Sequence, residues 1–323
     1  MGQKSLTNNE GIESAIAGMK ETMDEIARFY VGDPRNVKLI MGAIMASGHV
    51  LLEDFPGVGK TFLAKLTART LGLDYNRIQF TPDLLPGDIT GTKIWMPALG
   101  KFEKSMGPIN SNLILADEIN RAPPKTQAAL LEAMEERQVT IEGETVQLPR
   151  PFIVLATQNP IEFEGTYPLP EAQMDRFMIR INLGYPEDEE QLLNRRISWQ
   201  NDDPSGSASK VLDSKQVLSI RNVLERQILV SKEIITYISG FAACRKDRRV
   251  MAGPSPRGLI SMLRMSRAMA MIEGRDFVTP DDVKSVALET LAHRIVIKPE
   301  MALDQVDSES VVKEYLEKIP VPR

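Results

Sequence analysis

The segment LLEDFPGVGKT, residues 51–61, sets Gly57, Gly59, Lys60 and Thr61 in close succession. That order suits a backbone cradle for phosphate. Glycines keep side chains out of the way, successive N–H groups converge at a helix N-terminus, a lysine bridges the β- and γ-phosphates, and a threonine hydroxyl ligates a divalent cation. The general pattern is G-x-x-x-x-G-K-[ST], and here Asp54 stands where the first glycine is due. That position is the strand exit, outside the main cradle, so a carboxylate there is compatible with a working loop. The competing interpretation is a glycine-rich strand-to-helix turn with a surface lysine. Context favours the loop, because apolar HVLL precedes it and helix-compatible TFLAKLTARTL follows. Pro56 and Gly57 set the turn, and Val58 and Phe62 complete the segment expected around the nucleotide.

Two further segments end apolar runs in polar groups. NLILADEINRAPP brings Asp117 and Glu118 to a strand tip, where one carboxylate can complete an Mg²⁺ shell opposite Thr61 and the next can polarise an attacking water. Taken alone, it also fits an acidic loop after a buried strand. FIVLATQNP ends in Thr157, Gln158 and Asn159, and Asn159 would sit beside Glu118, positioning the water. Alone, Asn159 reads equally as a turn residue before Pro160.

These groups need a scaffold that gathers strand ends. The apolar runs His49–Leu52, Ile78–Phe80, Leu113–Ala116, Ile153–Ala156 and Phe177–Ile181 are short, bounded by Gly, Pro, Asp or Asn, and separated by helix-length segments. The pattern predicts an α/β unit with a five-stranded parallel sheet covered by helices on both faces. Helices are expected over 11–29 and 34–47, and hairpins at Lys93–Glu103 and Val139–Leu148, the latter turning at Glu142-Gly143. NDDPSGSASK, residues 201–210, has linker composition and is a hinge candidate. It separates an α/β unit over 1–200 from an all-α unit over 211–323, in which Thr279-Pro280-Asp281-Asp282 is a helix start.

Bulk properties narrow the classes. The chain has 323 residues, 42% hydrophobic, and a formal charge of −5, which argues against a surface built to neutralise nucleic acid. One cysteine, Cys244, and two histidines exclude an internal disulfide and an ordinary zinc site, and point to a reducing compartment. With no apolar signal core at the N-terminus and no run near the ~20 residues of a membrane span, a cytoplasmic location without membrane insertion is expected.

With these motifs assembled, the sequence resembles the MoxR family of AAA+ ATPases from about residue 30 to 298. The resemblance rests on LEDFPGVGKT, LADEINRAPPKTQAALLEAMEERQVT, ATQNPIEFEGTYPLPEAQMDRF, GPSPRGLISMLRMSRAMAMIEGRDFVTPDDV and LAHRI. It implies a P-loop NTPase core with a helical lid, ATP/ADP and Mg²⁺ as ligands, and a ring of identical chains, expected to be hexameric. It further implies a protein client and a separate partner carrying a von Willebrand factor A domain, in a chaperone-like role. By residue, it gives Lys60 and Thr61 the Walker A roles, Asp117 the metal shell, Glu118 the catalytic base and Asn159 the first sensor. Arg176 matches the arginine finger that reaches the neighbouring subunit, and Arg257 the second sensor. Residues 93–103 and 139–148 would face the ring's pore. Without the family, Arg176 fits an ion pair with Asp175 or Glu171 as well as a finger, and Arg257 fits a surface arginine at a helix start. A P-loop phosphotransferase and a nucleic-acid motor or clamp-loader subunit are the rival activities.

Other conspicuous residues have ordinary explanations. Met262, Met265 and Met269 recur at helical spacing and are expected in the core. His49 is expected as a satisfied core residue and His293 as structural or interfacial. RKDRR, residues 245–249, is expected to be solvated, and Arg121 has no assigned role.

Overall fold

A computed structural model describes residues 2–55, 57–98, 100–159, 166–186, 188–199, 203–304 and 306–322. Two helices, α1 (Gly2–Phe29) and α2 (Pro34–Met45), precede β1 (Val50–Glu53), after which the phosphate-loop segment leads into α3 (Lys60–Thr70). Next come β2 (Tyr75–Gln79), the short α4 (Pro86–Thr90), a hairpin of β3 (Gly91–Met96) and β4 (Lys101–Met106), and β5 (Leu113–Asp117). Helix α5 (Pro124–Glu136) leads to a second hairpin, β6 (Gln138–Ile141) and β7 (Glu144–Gln147), followed by β8 (Ile153–Gln158), α6 (Glu171–Met174) and β9 (Ile179–Ile181). The remainder is helical: α7 (Glu189–Ser198), α8 (Ser214–Gln227), α9 (Lys232–Gly240), α10 (Pro256–Ile272), α11 (Pro280–Leu291) and α12 (Ser308–Lys318). A two-stranded ribbon, β10 (Val250–Ala252) with β11 (Val296–Ile297), is set among them.

The five-stranded sheet runs β2-β5-β8-β1-β9 with every pairing parallel. Its central strands are apolar throughout because both faces are covered. Alternate residues feed two cores: Val50, Leu52, Leu113, Leu115, Ile153 and Leu155 enter one, and Leu51, Ile114, Ala116, Val154 and Ala156 the other. The second core closes under Leu130, Leu131 and Met134 of α5. The first continues without a break through α1, α2 and α3 into the C-terminal helices, and includes Met262, Met265 and Met269. Parallel register aligns the strand tips, setting Gln79 against Asp117 and Glu53 against Gln158 along one edge.

Several boundaries differ from expectation. Strand β2 begins at Tyr75, not Ile78, because this edge strand is largely half-exposed and carries no apolar run to mark it. The last strand starts at Ile179, since Phe177 and Met178 belong to the turn before it. Helix α2 stops at Met45, and Ser47 turns the chain at φ 63°. Glu142 (φ 49°) and Gly143 (φ 82°) make the predicted β6–β7 turn. Residues 203–210 contact α1 and α3: Ser209 N–H donates to Glu25 (2.7 Å), Lys65 pairs with Asp203 (2.7 Å), and Arg69 donates to the Ala208 carbonyl. Small side chains here permit close packing, and Pro204, Ser205 and Ala208 are buried. Arg249 also departs from the solvated run expected for it. It bridges Asp247 (2.9 Å) and Glu314 of α12 (2.6 Å). Among the described residues no helix is long and apolar enough to cross a membrane.

Candidate functional site

A cleft of about 430 Å³ opens at the carboxyl edge of the sheet, where β1, β5 and β8 end. Gly57, Gly59, Lys60, Thr61 and Phe62 line one side, and Asp117, Glu118 and Asn159 line the other. Gly57 and Gly59 hold φ of 92° and 84°, and a Cβ on either would meet no atom within 4 Å. Such a methyl group would stand in the cleft's own open space on a strained backbone, so glycine is needed twice. Gly59 is also the N-cap of α3, which brings the positive end of that helix to the loop. Val58 is buried in the first core, leaving its backbone for the cleft. Pro56 lies outside the described residues.

Lys60 Nζ donates to the Asp54 carbonyl at 2.8 Å. Burial pushes its ammonium below the usual lysine range, against the opposing pull of Asp54, Asp117 and Glu118. Asp54 itself is 1% exposed. Its carboxylate accepts from Phe55 N (2.8 Å), Leu183 N (2.7 Å) and Gly184 N (2.9 Å). The substitution at the first glycine position therefore has a structural cause. The side chain fastens the start of the loop to the chain leaving β9.

Three strands jointly position the acidic pair. Thr157 of β8 donates its hydroxyl to Asp117 Oδ1 (2.6 Å) and accepts from Glu118 N (2.8 Å). Arg77 of β2 pairs with Asp117 Oδ2 (2.6 Å), while Gln79 donates to Glu118 Oε2 (2.9 Å). Arg121 donates to the same Glu118 oxygen at 2.9 Å. Glu118 sits at φ 56°, a left-handed conformation uncommon outside glycine, which turns it out of the strand beside Asp117. Arg77, Gln79 and the bridging part of Thr157 were absent from the sequence-based site. Strand parity was the available signal, since Ile78 and Phe80 point into the second core and leave Arg77 and Gln79 on the other face.

The donor set fits magnesium. Thr61 and Asp117 offer hard oxygens on facing walls, and among the described residues no three His, Cys, Asp or Glu side chains converge as a self-contained cage. Mg²⁺ takes one or two carboxylates alongside phosphate oxygens and keeps part of its water shell.

Arg176 and Arg257 do not line this cleft. They share one carboxylate elsewhere: Glu135 of α5 meets Arg176 Nη2 at 3.3 Å and Arg257 Nη2 at 2.5 Å. Neither the Asp175 nor the Glu171 pairing considered for Arg176 forms. Asp175 is instead held by Arg294 Nε (2.7 Å) and by the Ser255 hydroxyl (2.9 Å). Arg294 is 1% exposed at its side chain, and also donates to the carbonyls of Asp175, Phe177, Met178 and Thr290. His293 adds a bond to the Phe177 carbonyl at 3.2 Å. The chain around Arg176 is thus riveted to α10 and to the turn after α11.

Comparison with known proteins agrees with this geometry. Residues 49–179 match the model of the ATPase family associated with various cellular activities (AAA), and residues 242–315 match the AAA lid domain. The chain is 39% identical to Chaperone MoxR1 of Mycobacterium tuberculosis, over 97% of this chain and 85% of that protein. It is 42% identical to the uncharacterized protein YeaC of Bacillus subtilis, over 94% of each. A crystal structure of a Cytophaga hutchinsonii protein assigned as an ATPase superposes with a TM-score of 0.92 at 40% identity, covering both chains fully. The phosphate loop, the acidic pair on β5, the lid and these relatives agree: the chain belongs to the MoxR family of AAA+ ATPases.

Proposed function

We propose that the chain is an Mg²⁺-dependent ATPase that works as a ring, expected to be hexameric, and remodels or matures protein complexes. The observation that carries this reading is a division of charge within one protomer. The cleft has a phosphate loop, two carboxylates and Asn159, whereas Arg176 and Arg257 stand together on Glu135 outside it. A γ-phosphate held on the loop then meets Arg176 when a neighbouring protomer supplies it.

In this scheme Gly57–Gly59 and Lys60 seat the triphosphate, and the α3 N-terminus faces its charge. Glu118, held by Gln79 and Arg121, accepts a proton from the water that Asn159 orients. As the water oxygen bonds to the γ-phosphorus, the bond to the β–γ bridging oxygen breaks, yielding ADP and phosphate. Magnesium, held by Thr61 and Asp117, would neutralise charge on the phosphate oxygens. Arg176 stabilises the transferring group in trans, an effect worth ~10³–10⁵ in rate for arginine fingers, and Arg257 serves as the second sensor.

The division into residues 1–200, a 201–210 connector and a 211–323 lid is part of the proposal, as are a cytoplasmic location and a von Willebrand factor A domain partner. The β3–β4 and β6–β7 hairpins are the parts we assign to the client. Glu144 of β7 pairs with Lys93 (2.7 Å) and Lys104 of the first hairpin, tying the two together. Trp95 and Phe102 stack 5.1 Å apart on the exposed end.

Subunit mixing tests the scheme. Arg176→Ala and Glu118→Gln subunits are each expected to be inactive alone, while mixtures recover partial turnover at interfaces that combine an intact base with an intact arginine. No recovery in confirmed mixed assemblies, or full activity of a strictly monomeric chain, overturns it.

A further inference from the structure

A second cleft, of about 570 Å³, lies at the opposite edge of the sheet, beside the residues that lead into β1 and β8. Strand β8 has six residues, ~20 Å at the usual rise, so this cleft is remote from the phosphate loop. Its walls come from both halves of the chain. Met45–Ser47, Arg137, Arg150 and Pro151 precede the sheet strands, whereas Leu218, Arg221, Asn222, Glu225 and Arg264 belong to α8 and α10.

The charge of the lining is uneven. Four guanidiniums face one carboxylate, in a chain whose net charge is −5. Arg221 is about nine-tenths buried, yet its hydrogen bonds run only to the Ile44 carbonyl, at 3.0 and 2.7 Å. Arg137 donates to the Ser47 carbonyl at 3.0 Å and toward the Phe152 carbonyl at 3.5 Å. Among the described residues Arg137, Arg150 and Arg221 form no ion pair, and Arg264 reaches Glu225 only at 3.9 Å. The Ile44 carbonyl lies in the last turn of α2, whose dipole supplies about half a negative charge, short of even one guanidinium. Burying cations without a carboxylate is costly, because each loses hydration and gains no opposite charge in return. Burial and Arg137 together pull the Arg221 guanidinium down to about 9.

We propose that this cleft is a second anion site, which takes a small multiply charged phosphate with two adjoining phosphoryl groups. Planar guanidiniums pair bidentately with phosphate oxygens. A single carboxylate would offset one of the three excess positive charges, whereas a diphosphate offsets most of them. The volume is in the range of small-molecule sites, and four guanidiniums converging on one cleft match the clustered charge of a diphosphate. A ligand there would touch the sheet unit and the helical unit together, and hold them in the arrangement seen here.

The test uses the full chain carrying Lys60→Ala, which removes phosphate binding at the loop, titrated calorimetrically with inorganic pyrophosphate. Saturable binding of one equivalent per chain is expected, falling at least tenfold with Arg150→Glu plus Arg264→Glu and by less with Gln at both positions. Arg150 is exposed and the Arg264 side chain is 40% exposed, so these variants are expected to keep the fold, checked by an unchanged melting temperature. ADP should bind there through the same arginines, which would identify the diphosphate as the recognised group. Absence of saturable pyrophosphate binding overturns the proposal, as does binding that ignores both double variants. A poly-glutamate peptide that binds as tightly as pyrophosphate at these arginines also overturns it, in favour of an acidic protein segment.

Discussion

The nucleotide cleft and the corner that carries Arg176 both rest on arginine–carboxylate pairs, but at opposite extremes of burial. In the cleft, Arg77 is about half-exposed against Asp117, and Arg121 about half-exposed against Glu118. Such pairs are worth ~0–1 kcal/mol and exchange partners readily when a phosphate or a cation arrives. In the corner, Arg294 is 1% exposed and binds Asp175 together with four backbone carbonyls. That arrangement is costly to break and has little freedom. Solvated charge therefore gathers where chemistry is proposed, and desolvated charge where Arg176 must be aimed. Because the anchor points of Arg294 include Ser261 and Thr290, the aim of Arg176 follows α10 and α11.

The largest effects should separate the two regions cleanly. Glu118→Gln is expected to lower turnover by ~10²–10⁴, the usual contribution of a general base, while leaving the melting temperature almost unchanged. An undiminished rate would remove Glu118 as the base. Arg294→Ala is expected to do the reverse in kind, destabilising the chain by ~3–5 kcal/mol because the partly buried Asp175 carboxylate and four backbone carbonyls lose their common donor. Denaturant unfolding checks it, and a loss below ~1 kcal/mol would make the corner no more rigid than the cleft.

Asp54 is the residue on which the comparison comes closest to failing, since it lines the cleft yet is buried like the corner. Restoring the general loop pattern with Asp54→Gly should weaken the protein. It leaves the buried N–H of Leu183 without its acceptor, at ~1–3 kcal/mol, while Gly184 N–H keeps Asn182 Oδ1 at 2.8 Å. Nucleotide affinity should fall as well, because the loop loses its tie to the chain after β9. Equal or higher stability of the glycine variant would show that the carboxylate is merely tolerated.

The same contrast explains what was legible in the sequence. Gly57, Gly59, Lys60 and Thr61 act through one local run, and Asp117-Glu118 end an apolar strand, so their chemistry is written in adjacent letters. The five parallel strands were legible for a similar reason, since burial on both faces leaves short continuous apolar runs. Groups that act through register were not. Thr157 reaches Asp117 only because β5 and β8 pair as they do, and Arg77 and Gln79 lie on an edge strand whose half-exposed residues break the apolar signal. Glu135 sits in a charged helical stretch, EAMEER, where nothing distinguishes it from its neighbours. The partners of Asp54 lie 129 and 130 residues away. Linker composition at 201–210 gave no sign of the packing at Pro204, Ser205 and Ala208, because small polar residues serve close packing as well as flexibility.

Mild acid gives the smallest effect and the sharpest separation. The chain's two histidines are both buried, and neither lines the cleft. His49 Nδ1 accepts from Val154 N (2.9 Å), so Nε2 carries the proton donated to the Met134 carbonyl (3.2 Å), and the ring is neutral. Burial and nearby Arg137 lower His49 from 6.5 to about 3, and burial with Arg294 lowers His293 in the same direction. For a base depressed on folding, the unfolded chain binds the extra proton between the two values. Stability is therefore complete above about pH 6.5 and declines as the pH falls below it. At pH 5.5 His49 alone should cost about 1 kcal/mol, with His293 adding to it. A melting temperature lower by a few degrees at pH 5.5 than at 7.5 is expected, and it should be flatter in His293→Asn. His293 donates to the Phe177 carbonyl, beside Arg176, so the corner should loosen while the cleft, lined by no histidine, still binds nucleotide. If nucleotide affinity in this window drops as steeply as stability, the two regions respond as one unit, and burial does not separate them.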